Sequence, residues 1–95
     1  MSKDPQGRFE LHPDAAWRNV EGHIFIITAD SRQHELAGPV EHCVWSLCDA
    51  APKTITEMLD VICEEFDVER KEASADLNSF LKASLSAGIL KATTT

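Results

Sequence analysis

The sequence predicts an α+β fold, a small three-stranded antiparallel sheet followed by three α-helices in a winged helix-turn-helix-like arrangement. Three observations predict it. Strand-like patterning begins near Ala15 and ends at Leu36. The apolar period then changes from two to three-and-four at Gly38-Pro39. Each segment beyond that point carries its own start or stop signal.

The elements follow in order. Residues 1–12 are mostly polar, with Pro5 and Gly7 as breakers, and read as a flexible N-terminal segment anchored only by Phe9 and Leu11. Residues 13–91 read as one domain. "AAWRNV" is a first strand, closed by the turn-prone Glu21-Gly22. "HIFIIT" is the strongest strand signal, rich in β-branched and aromatic residues. Ile24 and Ile26 face one way and Phe25 and Ile27 the other, so either both faces are covered or one receives a partner. "ADSR" turns the chain again, and "QHEL" makes a short third strand.

Pro39 suits the first turn of a helix, where its missing N–H has no intrahelical partner. Val40, Cys43, Val44, Leu47 and Cys48 form an amphipathic stripe over 39–49. Thr54 and Glu57 form an S/T-x-x-E capping box that opens a second helix over 54–66. Asp67 is the expected N-cap of a third helix over 68–87. Leu77, Phe80, Leu81 and Leu85 give that helix its buried side. Gly88 is its stop. Ile89 and Leu90 fold back onto the core, and "KATTT" frays.

Ninety-five residues with 43% hydrophobic and 26% charged side chains make one globular domain. No apolar run is long enough to span a membrane. The N-terminus has no apolar signal-peptide core, which gives a cytoplasmic expectation. Cys43, Cys48 and Cys63 then read as reduced thiols. Cys43 and Cys48, five residues apart on a helix, point well over a right angle apart, so no metal or other cofactor is expected.

Two functional classes lose ground here. A helix-turn-helix frame suggests DNA binding, and the third helix offers Arg70, Lys71, Asn78 and Lys82. Yet residues 38–90 hold ten acids against four bases, and the whole chain carries −7. Phosphate would be repelled, and a basic or apolar partner fits better. Catalysis has His12, His23, His34 and His42 to draw on, but no catalytic spacing, nucleophile elbow, His-Glu-x-x-His or glycine-rich phosphate loop.

Several pieces in order resemble the PqqD family. Leu36 ends the third strand. Trp45, Leu47 and Asp49 reproduce a W-x-L-x-D pattern. Thr54 and Glu57 reproduce the start of the second helix, and Phe66, Asp67 and Val68 its end. Asp76, Leu77, Phe80, Leu81, Gly88 and Leu90 reproduce a D-x-x-x-F-L…G-x-L ending. The resemblance covers residues 14–90. Ala37, Ala50-Ala51-Pro52 and Ser84 depart from the family pattern. The resemblance implies a non-catalytic peptide chaperone, a recognition element for ribosomally synthesised precursor peptides. It would present the leader to a radical S-adenosylmethionine (SAM) enzyme, as in pyrroloquinoline quinone biosynthesis or a related peptide pathway. The iron-sulfur cluster would belong to that enzyme.

On this reading the third strand is an edge to which an extended peptide adds as a further strand. Arg32, Gln33, His34, Glu35 and Leu36 supply the strand wall. Leu77, Phe80, Leu81 and Ser84 supply the helix wall, with Asp76 and Lys82 at the rim. A leader rich in Lys or Arg suits the acidic surface. The same edge can pair two copies, so a monomer or a weak dimer is expected.

Overall fold

The computed structural model describes residues 7–93. Its first hairpin is set by Glu21 and Gly22, both at positive φ, 52° and 87°. A two-residue loop of that kind matches the twist of antiparallel strands. It joins β2 (Ala16–Val20) to β3 (His23–Ile27), with Val20 opposite His23. The Asn19 side-chain oxygen accepts from the Gly22 N–H at 3.1 Å and stiffens the loop. A second turn leads to β4 (Gln33–Leu36), with Ser31 at φ 65°. There the Thr28 N–H donates to the Arg32 carbonyl at 3.0 Å. The Thr28 hydroxyl donates to Asp30 and holds that carboxyl below its ordinary range. The order β2–β3–β4 is the expected meander.

One face of this sheet is covered and the other is open. Ile24 and Ile26 are buried, whereas Phe25 and Ile27 are 42% and 49% exposed. On the covered side Trp17 meets Trp45 edge-to-face, ring centroids 5.3 Å apart. That contact ties the sheet to α1 (Pro39–Ala50).

The helices begin where the local chemistry allows. Pro39 occupies the first turn of α1, and Glu41 reaches back to accept from the Gly38 N–H at 3.3 Å. Thr54 caps α2 (Ile55–Glu65). Its hydroxyl accepts from the Glu57 N–H at 3.1 Å, and Glu57 accepts from the Thr54 N–H at 2.9 Å. The start of α3 (Arg70–Ala87) corrects the sequence expectation: the N-cap is Glu69, not Asp67. The Val68 N–H donates to the Phe66 carbonyl at 2.9 Å, and this tight turn delays the helix. Gly88 ends it in the left-handed region at φ 80°, its N–H bonded to the Leu85 and Ser84 carbonyls. Leu85 is 38% exposed and does not join the buried side of α3.

A second sheet was not expected. β1 (Arg8–Leu11) lies between β5 (Lys53–Thr54) and β6 (Leu90–Thr93), antiparallel to both. Residues 8–11 are therefore a paired strand rather than part of a flexible segment, and Leu90–Thr93 is a strand rather than a frayed end. Residues 1–6 and 94–95, which these expectations also covered, lie outside the described residues. The cause is non-local. Phe9 and Leu11 pack against the core, opposite Ala92 and Leu90, and the ladder satisfies their backbone groups.

The core joins the first sheet to all three helices through Ile24, Ile26, Trp45, Met58, Ile62, Leu77 and Leu90, each at most 2% exposed. Burial of side chains this size contributes about 1.5–3 kcal/mol each. The three thiols are free: Cys48 is buried, and Cys43 and Cys63 are half-buried. Among the described residues no helix is long and apolar enough to cross a membrane.

Candidate functional site

β4 is an edge of its sheet, so half of its backbone groups have no strand to bond among the described residues. Which half follows from the turn. Antiparallel pairs alternate between bonded and non-bonded. Thr28 bonds to Arg32, and the register continues with Ile27 opposite Gln33, Ile26 opposite His34, Phe25 opposite Glu35 and Ile24 opposite Leu36. By alternation His34 and Leu36 turn their N–H and C=O toward β3. Gln33 and Glu35 turn theirs outward, to the free edge.

The side chains of β4 split the same way. His34 and Leu36 share the covered face with Ile26 and Ile24, and Leu36 is buried. Gln33 and Glu35 lie on the open face and are exposed. Glu35 pairs with His23 Nδ1 at 2.5 Å. Arg32 stands just before the strand, exposed, with its Nε 3.3 Å from Asp30. The buried His34 Nε2 has no hydrogen-bond partner among the described residues. An unsatisfied buried nitrogen costs about 1–3 kcal/mol.

Beyond Leu36 the chain passes through Ala37, Gly38 and Pro39 into α1, and there a pocket of about 250 Å³ opens between the helices. Val40 and Val44 of α1, Ile62 of α2 and Ala73, Leu77 and Phe80 of α3 make its apolar lining, with Val68 from the α2–α3 connection. Glu41, Glu72 and Asp76 complete it. A cavity of about 150 Å³ lined by apolar groups already holds a benzene ring. This one has room for a large apolar side chain. The ion pairs among the described residues are Arg8–Glu57, His23–Glu35, Arg32–Asp30 and Arg70–Asp60, so the three pocket carboxylates pair with no cation among those residues.

The helix residues singled out from sequence fall into three groups. Asp76, Leu77 and Phe80 line the pocket together. Leu81 and Ser84 are buried, 3% and 2% exposed, and belong to the packing of α3. The Ser84 carbonyl accepts from the Ile89 N–H at 2.9 Å where the chain turns into β6. Lys82 is exposed and two residues from Phe80, roughly 200° around the helix, so it faces away from the pocket. Sequence reasoning missed Glu72 and Ala73, although they extend the Asp76–Leu77–Phe80 stripe by one turn. It read Val40, Val44 and Ile62 only as core, because nothing local tells a pocket wall from a packed interior.

The sequence profile of coenzyme PQQ synthesis protein D (PqqD) matches residues 42–90. A solved structure, TbiB1 in complex with the TbiA(beta) leader peptide, is similar in fold, with a TM-score of 0.79 and 23% sequence identity. The superposition covers 86% of this chain and 94% of that one. Comparison with curated proteins finds no match.

Proposed function

The chain belongs to the PqqD family, and from that premise we propose that it captures the leader of a ribosomally synthesised precursor peptide and presents it to a modifying enzyme. The observations that carry this reading are an edge strand, β4, and an apolar pocket between the helices whose first lining residue, Val40, follows Leu36 by four positions. An extended peptide adds to the edge through the outward groups of Gln33 and Glu35 and seats a side chain against Val44, Leu77 and Phe80. Backbone bonds supply affinity there, and the pocket supplies selectivity. The leader peptide bound to TbiB1, a protein of similar fold, supports it.

The chain's own role in this is binding, not catalysis. A radical SAM enzyme is the second partner, and pyrroloquinoline quinone biosynthesis or a related peptide pathway is the setting. Three free thiols fit a reducing compartment such as the cytoplasm.

The test is a titration of isotope-labelled protein with the leader encoded by a neighbouring precursor-peptide gene, and separately with random duplex DNA. Amide signals of residues 32–36 and of α3 shift together with the peptide, while α2 responds mainly around Ile62. Shifts centred on residues 54–66 with 32–36 silent would place the groove elsewhere. Micromolar binding to DNA with a steep salt dependence would replace the reading altogether.

A further inference from the structure

Among the described residues the charge at the pocket is uncompensated. Glu72 and Asp76 lie four residues apart on α3, hence one above the other at its mouth. Like charges at that spacing repel one another and destabilise a helix slightly. Glu41 adds a third carboxylate from α1, where one oxygen is engaged with the Gly38 N–H. Both α3 carboxylates are exposed and in no ion pair among the described residues. Arg70 and Lys71 are near in sequence, but Arg70 is drawn away to Asp60 at 3.0 Å. Lys71 precedes Glu72 by one residue and points about 100° from it. The arrangement is an apolar floor beneath an acidic rim that no other described residue neutralises.

From this we infer that the groove selects a peptide in which a large apolar residue has a lysine or arginine within one or two positions. The apolar side chain fills the pocket over Val44, Ala73 and Leu77, and the cation meets Glu72 and Asp76 at its mouth. The inference rests on the peptide-capture reading and adds to it a sequence preference. The mouth is close to water, so each ion pair is worth a modest factor, about 1.4- to fivefold, and is weakened by salt. The preference concerns which peptides are taken, while the floor and the β4 edge carry most of the affinity.

The experiment uses the full chain, immobilised, and a mixture of synthetic ten-residue peptides in which one central position is Leu or Phe and its neighbours are randomised. Retained peptides are sequenced by mass spectrometry at low and at high salt, for the wild type and for the E72Q/D76N double variant. The substitutions are isosteric and exposed, so the fold is retained. The expected result is enrichment of Lys and Arg beside the apolar residue, reduced about two- to twenty-five-fold in the double variant and shrinking at high salt. Retention of apolar peptides with no basic preference overturns the inference and leaves peptide capture standing. A basic preference unchanged in the double variant overturns the assignment to Glu72 and Asp76. Retention of no peptide overturns peptide capture, and this inference with it.

Discussion

The parity of β4 gives a sharp test, because two adjacent prolines have opposite consequences. An extended peptide can draw on the outward N–H and C=O of Gln33 and of Glu35. Gln33→Pro removes one outward donor and breaks no bond within the sheet. Net worth of about 0.5–1.5 kcal/mol per backbone hydrogen bond puts the loss of affinity at roughly two- to twelvefold. His34→Pro removes an N–H that bonds inward to β3 and leaves the Ile26 carbonyl without its partner. That costs the fold about 1–3 kcal/mol and takes no donor from the peptide. Gln33→Ala is the control, since it keeps the N–H and removes only an exposed side chain.

The assay is fluorescence anisotropy with a labelled leader peptide, run beside urea unfolding of each variant. Gln33→Pro lowers affinity with its urea midpoint nearly unchanged, His34→Pro lowers the midpoint, and Gln33→Ala does neither. Hydrogen exchange gives an independent view: the amides of Gln33 and Glu35 exchange fast in the free chain and slow on binding, while that of His34 is protected in both. Wild-type affinity in Gln33→Pro, or an equal loss in Gln33→Ala, would show that the β4 backbone does not hold the peptide.

Four further outcomes rest on the fold. Thr54→Ala removes the α2 cap and lowers stability by about 0.5–2 kcal/mol in urea. The Thr54 N–H bond holds the Glu57 carboxyl below its ordinary 4.5, so the unfolded chain takes up that proton first. This contribution is present above pH 4.5, is lost as pH falls through the lower folded value, and flattens in Glu57→Gln unfolding profiles. Gly88→Ala meets no atom within 4 Å, so its cost is the left-handed backbone alone, about 1–2 kcal/mol by urea unfolding. Burial pushes the Cys48 thiol up to about 12, so at pH 8 it resists a thiol reagent until urea unfolds the chain.

What the sequence disclosed, it disclosed locally. The β2–β3–β4 meander was legible because alternation and turn residues lie within a few positions of each other. The start of α2 was legible because Thr54 and Glu57 satisfy one another over three residues. The second sheet was not, since Arg8–Leu11 is short and mostly polar and its partners lie at residues 53–54 and 90–93. The α3 start was misplaced by two residues because Asp67 has the chemistry of a cap, while the turn at Phe66–Val68 takes the chain elsewhere. At the site, Asp76, Leu77 and Phe80 could be read as one helical stripe. The walls opposite depend on how three helices cross, and the outward groups of β4 depend on one hydrogen bond in the preceding turn.

The unexpected strand bears on the site through the helices it joins. β1 bonds on one side to Lys53-Thr54, which lead into α2, and on the other to Leu90–Thr93, which follow α3. A single strand therefore ties the N-terminal end of α2 to the C-terminal end of α3. Ile62 of α2 and Ala73, Leu77 and Phe80 of α3 are walls of the pocket, so a change in the angle between these helices changes its width. A pocket held open before a ligand arrives spares the ligand the cost of ordering it. The profile match at residues 42–90 contains both helices and leaves β1 outside. Arg8–Leu11 thus belongs to the architecture that shapes the groove, although it contributes no side chain to the pocket.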